Sequence, residues 1–282
     1  MQPDTRALIQ KELVRVSRHL GVTPLLAVEA GSRARGYSAP QSDYDIRFIY
    51  KRPIKEYFKL KNPSVLKEWQ DTCIKGTCDT VYYTRKIDTT EGGVTLDVVG
   101  WNISKVCRLM AECNGSLYEW SGSPIIYDQV FDFSVYLNRY LKDYLNPHRL
   151  TYHYYGLAKS SMEGFMDAPE GPLKSYLFFI RCVLAANYVA KHKRSPWVSL
   201  VDLLDSSALP ENLENIINDL IVSRAQGVET LDISNHFKLN AFLTESLRSL
   251  KDLLESEELL KDFKCPSIRL AEDFYFDVIT SY

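Results

Sequence analysis

The strongest constraint on this chain is a short apolar run, Leu25 to Val28, that ends at the turn Gly31-Ser32 and is followed by Ser42-Asp43-Tyr44-Asp45 at the head of an alternating segment. The run has no helical periodicity and stops at a glycine, which predicts a buried strand delivering the chain to Gly-Ser. From Ser42 to Tyr50 the side chains divide in twos. Tyr44, Ile46, Phe48 and Tyr50 fall on one face and Asp43, Asp45, Arg47 and Ile49 on the other, the period of a strand that packs on one side and carries charge on the other.

The flanking sequence places this pair of strands in an α+β half. Leu8, Ile9, Leu13, Val16 and Leu20 share one face of a helix expected from Thr5 to Leu20, with Thr5 as its N-cap and Gly21 just past its end. Cys78 to Thr84 and Val94 to Val99 read as further strands, the second running through Gly100-Trp101-Asn102 into a helix with Val106, Cys107 and Met110 inward. Beyond Asp128 strand signals cease. Helices are expected over Phe131–Leu145, Leu150–Met166, Leu173–Lys191, Glu211–Ala225 and Phe237–Leu254, punctuated by Asn146-Pro147 and by the stretch from Asp167 to Pro172. The expected division is a catalytic domain over 1–128, a mixed sheet with flanking helices, and a helical domain over 129–282 that closes a shared cleft. No internal repeat is visible.

Composition excludes several classes. With 45% apolar and 25% charged residues the chain can bury a core, and a net charge of −2 rules out an overall basic field for nucleic acid. Any nucleic-acid partner must be held by a local patch. No apolar stretch suggests a membrane partner, the longest being broken by Arg181 and Asn187. The six cysteines are irregularly spaced and read as reduced thiols in a soluble, cytoplasmic protein. Cys73 and Cys78 come nearest to a metal-binding pair, but with no second pair or neighbouring histidine they read as structural.

Asp43 and Asp45, two apart on a strand, direct both carboxylates to one side, close enough to share hard divalent cations. Without a cation they would repel, and aspartate is disfavoured in strands. Gly31 lets a backbone approach a phosphate, and the N–H groups that open the following turn, together with the Ser32 hydroxyl, can bind the β- and γ-phosphates of a nucleotide. Either motif alone is common. Their combination, each attached to its own strand, points to nucleotidyl transfer, which needs cations that neutralise a triphosphate and activate an acceptor hydroxyl. The bland alternative for the aspartates is a polar edge strand or an Asx turn after Pro40-Gln41-Ser42.

Gly31-Ser32 with Asp43-x-Asp45 resembles the signature of the DNA polymerase β superfamily of nucleotidyltransferases. The longer runs Glu29 to Gly36 and Ser42 to Tyr50 resemble one branch, described as RNA-repair-pathway polymerase β-like or RNA-ligase-associated proteins. Further blocks agree with that branch: Leu96 to Trp101 with Lys105, Asn114, Leu117-Tyr118-Glu119-Trp120, Ser123 to Tyr127, and in the helical half Lys174, Tyr176-Leu177, Arg181 and the Trp197 region. The resemblance spans about Leu25 to Leu204. Ala30 and Arg35 depart from it, where members usually carry a serine and an aromatic, and these positions flank the nucleotide loop. The fold also includes members that have lost catalysis, but both first-strand carboxylates are present here.

The resemblance implies a third carboxylate on a neighbouring strand. Asp97, mid-strand between Leu96 and Val98, is the first candidate and Asp79 the rival. It also implies two Mg²⁺ ions, with Mn²⁺ able to substitute, held by Asp43, Asp45 and Asp97, an NTP substrate, and an RNA end as acceptor. Gly31, Ser32 and Arg33 are expected at the nucleotide. Arg47 either binds the triphosphate or neutralises a neighbouring carboxylate. Lys105 is either a phosphate contact or a solvated helix lysine. Lys174 and Arg181, on one helical face with Leu177, either close over the phosphates or form ordinary salt bridges, as does Lys159. Tyr152-His153-Tyr154-Tyr155 reads as core first and as a base platform second, and Lys191 to Arg194 is a weak basic patch at a helix end. A protein or small-molecule nucleotidyltransferase, as in toxin–antitoxin or antibiotic-modifying enzymes, and a non-catalytic nucleotide-binding module are the alternatives.

Overall fold

A computed structural model of the chain describes residues 3–59, 67–69, 72–76, 79–89, 92–163, 170–256, 258–261 and 263–281. The sheet-bearing part comprises α1 (Pro3–Leu20), β1 (Thr23–Glu29), α2 (Gly31–Ala34), β2 (Tyr44–Lys51), α3 (Ile54–Tyr57), β3 (Lys67–Trp69), β4 (Thr72–Gly76), β5 (Thr80–Thr89), β6 (Gly92–Asn102), α4 (Ile103–Ala111), α5 (Gly115–Ser121) and β7 (Ile126–Gln129). The helical part follows as α6 (Phe133–Tyr144), α7 (Pro147–Glu163), β8 (Glu170–Pro172), α8 (Leu173–His192), α9 (Leu200–Asp205), α10 (Glu211–Ala225), β9 (Thr230–Asp232), α11 (Phe237–Glu255) and α12 (Ile268–Ser281). The fold is α+β. The expected division at 128/129 falls inside β7, the last strand of the main sheet.

Among the described residues, seven strands form one sheet in the order β3-β4-β5-β6-β2-β1-β7. The sheet is mixed because β2 runs parallel to β6 while β1 pairs antiparallel with β2 and with β7, and β5 antiparallel with β6. A parallel pair demands a long connection. Within that connection the described strands β3, β4 and β5 lie on the far side of β6 from β2. At the end of β6 the Asn102 side chain accepts the Ser104 N–H and so starts α4 at the strand's last residue. Asn114 caps α5 in the same way, accepting from Ser116 and Leu117.

The alternation read from β2 decides what each face of the sheet meets. Ile46, Phe48 and Tyr50 face a core formed with Ile9, Leu13, Val16 and Leu20 of α1. Gly100 lies beside Phe48 in this layer, and any side chain there would overlap the Phe48 ring. On the other face Leu25, Val28 and Ile49 join Ile103, Val106, Met110, Phe133 and Leu137 in a second core that continues without a break into α7, α8, α11 and α12. Each large apolar side chain fully buried in these layers contributes about 1.5–3 kcal/mol. The sheet-bearing and helical parts therefore share one apolar core.

Three details depart from the sequence reading. The first helix begins at Pro3, so Thr5 lies inside it, buried, and is not its cap. Strands do not end at Asp128: β8 and β9 pair as a small antiparallel ribbon at the entrance to α8. The helices α5, α9 and α12 were not expected, and α12 returns to the sheet-bearing part. There its Phe274 packs on Phe133, Tyr275 meets the Tyr57 ring edge-on at 5.7 Å, and the Val278 carbonyl accepts from Lys51 Nζ at 3.3 Å. The Cys78 end of the strand expected at Cys78–Thr84 lies outside the described residues, as does the first half of the stretch expected to break the chain, from Asp167 to Pro172. Of the described helices α8 alone is long and apolar enough to cross a membrane, and 67% of that stretch is buried in the fold.

Candidate active site

The parallel register of β2 and β6 sets Asp45 directly beside Asp97, with Arg47 beside Val99. Residues in register on adjacent strands project to the same side of the sheet, and this is the side opposite α1. Arg47 lies between the two carboxylates. Its Nη2 donates to Asp45 Oδ1 at 3.1 Å and to Asp97 Oδ2 at 3.0 Å, and its Nη1 to the main-chain carbonyls of Ile46 and Asp97, both at 3.0 Å. Of the two roles open to Arg47, the structure displays the neutralising one. Thr84, across from Asp97 on β5, hydrogen-bonds Asp97 Oδ1 at 3.5 Å.

Gly31 brings the turn between β1 and α2 onto this pair. Its φ is +59°, a conformation that L side chains rarely adopt, and a Cβ there would fall within the van der Waals shell of Asp45 Oδ2 and 2.6 Å from Asp45 Cγ. The two backbones are joined as well, since the Ala30 N–H donates to the Asp45 carbonyl at 2.7 Å. Ser32 is buried at the start of α2, whose leading N–H groups have no acceptor within the helix. The glycine motif and the aspartate motif thus form one surface.

Beneath them Glu29 is fully buried at the end of β1. It accepts the Asp45 N–H at 2.9 Å and a hydrogen bond from the Tyr127 hydroxyl. Burial pushes its carboxyl up to about 7, against the lowering effect of those two hydrogen bonds. Glu29 therefore positions the backbone of Asp45 from behind.

The remaining predicted residues are distributed unevenly. Asp43 precedes β2 and is exposed. Among the described residues no three acidic, histidine or cysteine side chains are grouped closely enough to hold a metal ion jointly, so Asp43 is not drawn in with Asp45 and Asp97. Arg33 acts as a clasp: it donates to the carbonyls of Ser42 at 2.6 Å and Asp43 at 3.2 Å, and its guanidinium stacks 3.9 Å over the Tyr44 ring. It ties the glycine turn to the strand that carries the aspartates. Asp79 lies just before β5, which pairs Thr80 with Trp101, four residues along β6 from Asp97. Asp79 is one residue further out, its carbonyl accepting the Asn102 N–H, which places it on the order of 16 Å from the carboxylate pair at the strand rise, and it is engaged by Arg108. Lys105 donates to Thr80 Oγ1 at 2.7 Å and lies over Trp101, a local structural role.

Arg181 requires a correction. It is completely buried: Nε donates to the Val198 carbonyl at 2.7 Å, Nη2 to the Trp197 carbonyl at 3.3 Å and Nη1 to Glu119 Oε1 at 2.8 Å. With Leu177, also buried, it turns its helical face inward, while Lys174 stands exposed in the first turn of α8. The spacing of the three was read correctly, but Arg181 is enclosed away from any solvent-borne phosphate.

The second oxygen of Glu119 accepts from Arg35 Nη2 at 2.9 Å. Burial alone would push the Glu119 carboxyl up, but the guanidiniums of Arg181 and Arg35 outweigh it and hold the group at about 2. The three side chains join α5, α8 and the residue that ends the glycine turn. Glu119 and Arg35 were not singled out for this role, since partners 62 and 84 residues apart carry no local signal. Of the aromatic run on α7, Tyr154 is buried beside Arg181 and Tyr152 is exposed, as one helix must divide consecutive residues.

Comparison with known proteins identifies the family. Residues 5–277 match the family described as RNA repair pathway DNA polymerase beta family. The protein described as uncharacterized protein YcgL, from Bacillus subtilis (strain 168), is 28% identical over 222 residues, covering 79% of this chain and 77% of that protein. The crystal structure of a nucleotidyltransferase-like protein from Exiguobacterium sibiricum 255-15 aligns with 98% of this chain and 79% of its own length, at 10% identity and a TM-score of 0.33. That likeness is too loose to equate the two folds.

Proposed function

Because the chain belongs to the RNA repair pathway DNA polymerase beta family and is a nucleotidyltransferase, we propose that it transfers a nucleoside monophosphate from an NTP to the hydroxyl of an RNA end, releasing pyrophosphate. The observation that carries this reading is the Asp45–Asp97 pair, in register on parallel strands, with Gly31 packed against Asp45.

The carboxylate oxygens of Asp45 and Asp97, on one side of the sheet, are donors of the kind that hard divalent cations take, and Arg47 now supplies the positive charge between them. Asp45 and Asp97 would hold such ions, with Asp43 joining by rotation of its exposed side chain; bound Mg²⁺, or Mn²⁺ in its place, would neutralise the triphosphate and lower the pKa of the attacking hydroxyl. The chain's own residues supply the rest. Gly31 lets the backbone approach the phosphates, and the N–H groups of the following turn with the Ser32 hydroxyl hold the β- and γ-oxygens. Lys174, exposed at the start of α8, is available to the same phosphates. Arg47 keeps the two carboxylates at a common height while the nucleotide arrives, and Glu29 fixes the backbone of Asp45, so that positioning is in place before chemistry.

The acceptor assignment draws on the family's description. It is tested by incubating the purified chain with Mg²⁺ and each labelled NTP, alone, with total RNA and with cell-extract protein. The expected result is label in the RNA, abolished by EDTA and restored by Mg²⁺ or Mn²⁺. Label in protein alone would overturn the RNA acceptor, and tight NTP binding without transfer would overturn catalysis.

A further inference from the structure

The segment that joins α8 to α9 is held firmly, yet it leaves an indole in water. Pro196, Val198 and Leu200 are buried, while Trp197 is 54% exposed and Ser199 is half-buried. The chain bends at Val198 and Ser199 on its way into α9, and Ser199 Oγ lies 3.6 Å from where a Cβ on Gly36 would be, at the end of the glycine turn. The Leu200 N–H donates to the Arg35 carbonyl at 2.9 Å. Arg181 takes the carbonyls of Trp197 and Val198, and Arg181 is itself locked to Glu119, which also holds Arg35. The same buried network therefore fixes the nucleotide turn and the backbone of Trp197.

Trp101 and Trp120, by contrast, stack on each other at 3.6 Å within the core. A large aromatic ring kept out of the core on an immobilised backbone is a pre-organised surface: its ordering cost is met before a ligand arrives, and one π-face is free to stack. Four residues of helical turn separate Gly31 from Arg35, about 6 Å, and three extended residues separate Leu200 from Trp197, at most about 10 Å. With the Arg35–Leu200 hydrogen bond between them, these lengths cap the separation of the Trp197 and Gly31 backbones at roughly 20 Å, a span that a nucleoside triphosphate and an indole side chain laid end to end can bridge.

Resting on the nucleotidyltransferase reading above, we propose that Trp197 is the stacking platform for the base of the incoming NTP. Stacking on an aromatic face tolerates every base, so the platform adds affinity for the nucleoside without selecting one base strongly.

The test measures equilibrium binding of a non-hydrolysable NTP and of inorganic tripolyphosphate to the full chain and to Trp197→Ala and Trp197→Tyr, with thermal melts as a folding control. Trp197→Ala should weaken NTP binding about tenfold or more, leave tripolyphosphate binding unchanged and abolish the nucleotide-induced quenching of tryptophan emission. Trp197→Tyr should restore most of the affinity. Undiminished NTP binding by Trp197→Ala, or equal losses for NTP and tripolyphosphate, would overturn the platform. If NTP binds with this pattern but no RNA is labelled, the acceptor reading fails and the platform stands. If the unaltered chain binds no NTP, both fail together.

Discussion

Replacing Glu119 by glutamine removes one negative charge from between two buried guanidiniums. Its carboxylate is only 12% exposed and Arg181 is fully enclosed, so water screens little of the interaction. The fall of the Glu119 pKa from an ordinary 4.5 to about 2 corresponds to roughly 3 kcal/mol, at about 1.4 kcal/mol for each tenfold change in proton affinity. Breaking a buried pair by removing one partner costs about 3–5 kcal/mol by a separate route, because it strands the remaining charge. Both estimates point to a loss of a few kcal/mol, on the order of 10 °C in melting temperature for a chain of this size.

The sign with pH follows from the depressed pKa. The stabilisation is complete above 4.5 and is lost as the pH falls from there towards about 2. Thermal unfolding followed by circular dichroism should therefore show the widest gap between the native chain and Glu119→Gln near neutral pH, narrowing as the pH falls from about 4.5 towards about 2. A triple replacement, Glu119→Leu with Arg35→Met and Arg181→Met, should recover much of the loss, since an apolar cluster of similar volume leaves no stranded charge. A loss below about 1 kcal/mol for Glu119→Gln, or a gap that does not narrow in acid, would refute this account of the seam.

Two further predictions concern the proposed reaction centre. Gly31→Ala should cost about 1–2 kcal/mol for the positive φ alone and reduce transfer by about 100-fold or more by displacing the Asp45 carboxylate; wild-type turnover in a single-turnover assay would contradict the contact between the two motifs. Asp43→Asn, Asp45→Asn and Asp97→Asn should each abolish transfer with little change in melting temperature, whereas Asp79→Asn should retain it. An inactive Asp79 variant beside an active Asp97 variant would move the third carboxylate to the start of β5.

Much of this protein was legible in its linear order because the governing interactions are local. Strand alternation assigned Ile46, Phe48 and Tyr50 to the core and Asp45 and Arg47 to the opposite face, and a glycine before Ser32 marked the turn, since both follow from the periodicity and steric freedom of a few consecutive residues. The helices α8, α10 and α11 were likewise announced by their own spacing. What required the tertiary structure was every decision made by distant partners. Only the parallel register of β2 and β6 sets Asp97 rather than Asp79 beside Asp45. Only folding encloses Arg181, which its helical face leaves open between phosphate contact and an ordinary salt bridge, and joins it through Glu119 to Arg35. A charge on a helix face reads the same in sequence whether water or a buried carboxylate lies opposite. The chain's local order therefore determined which strand and turn form the candidate site, and long-range packing determined which charges were left to face it.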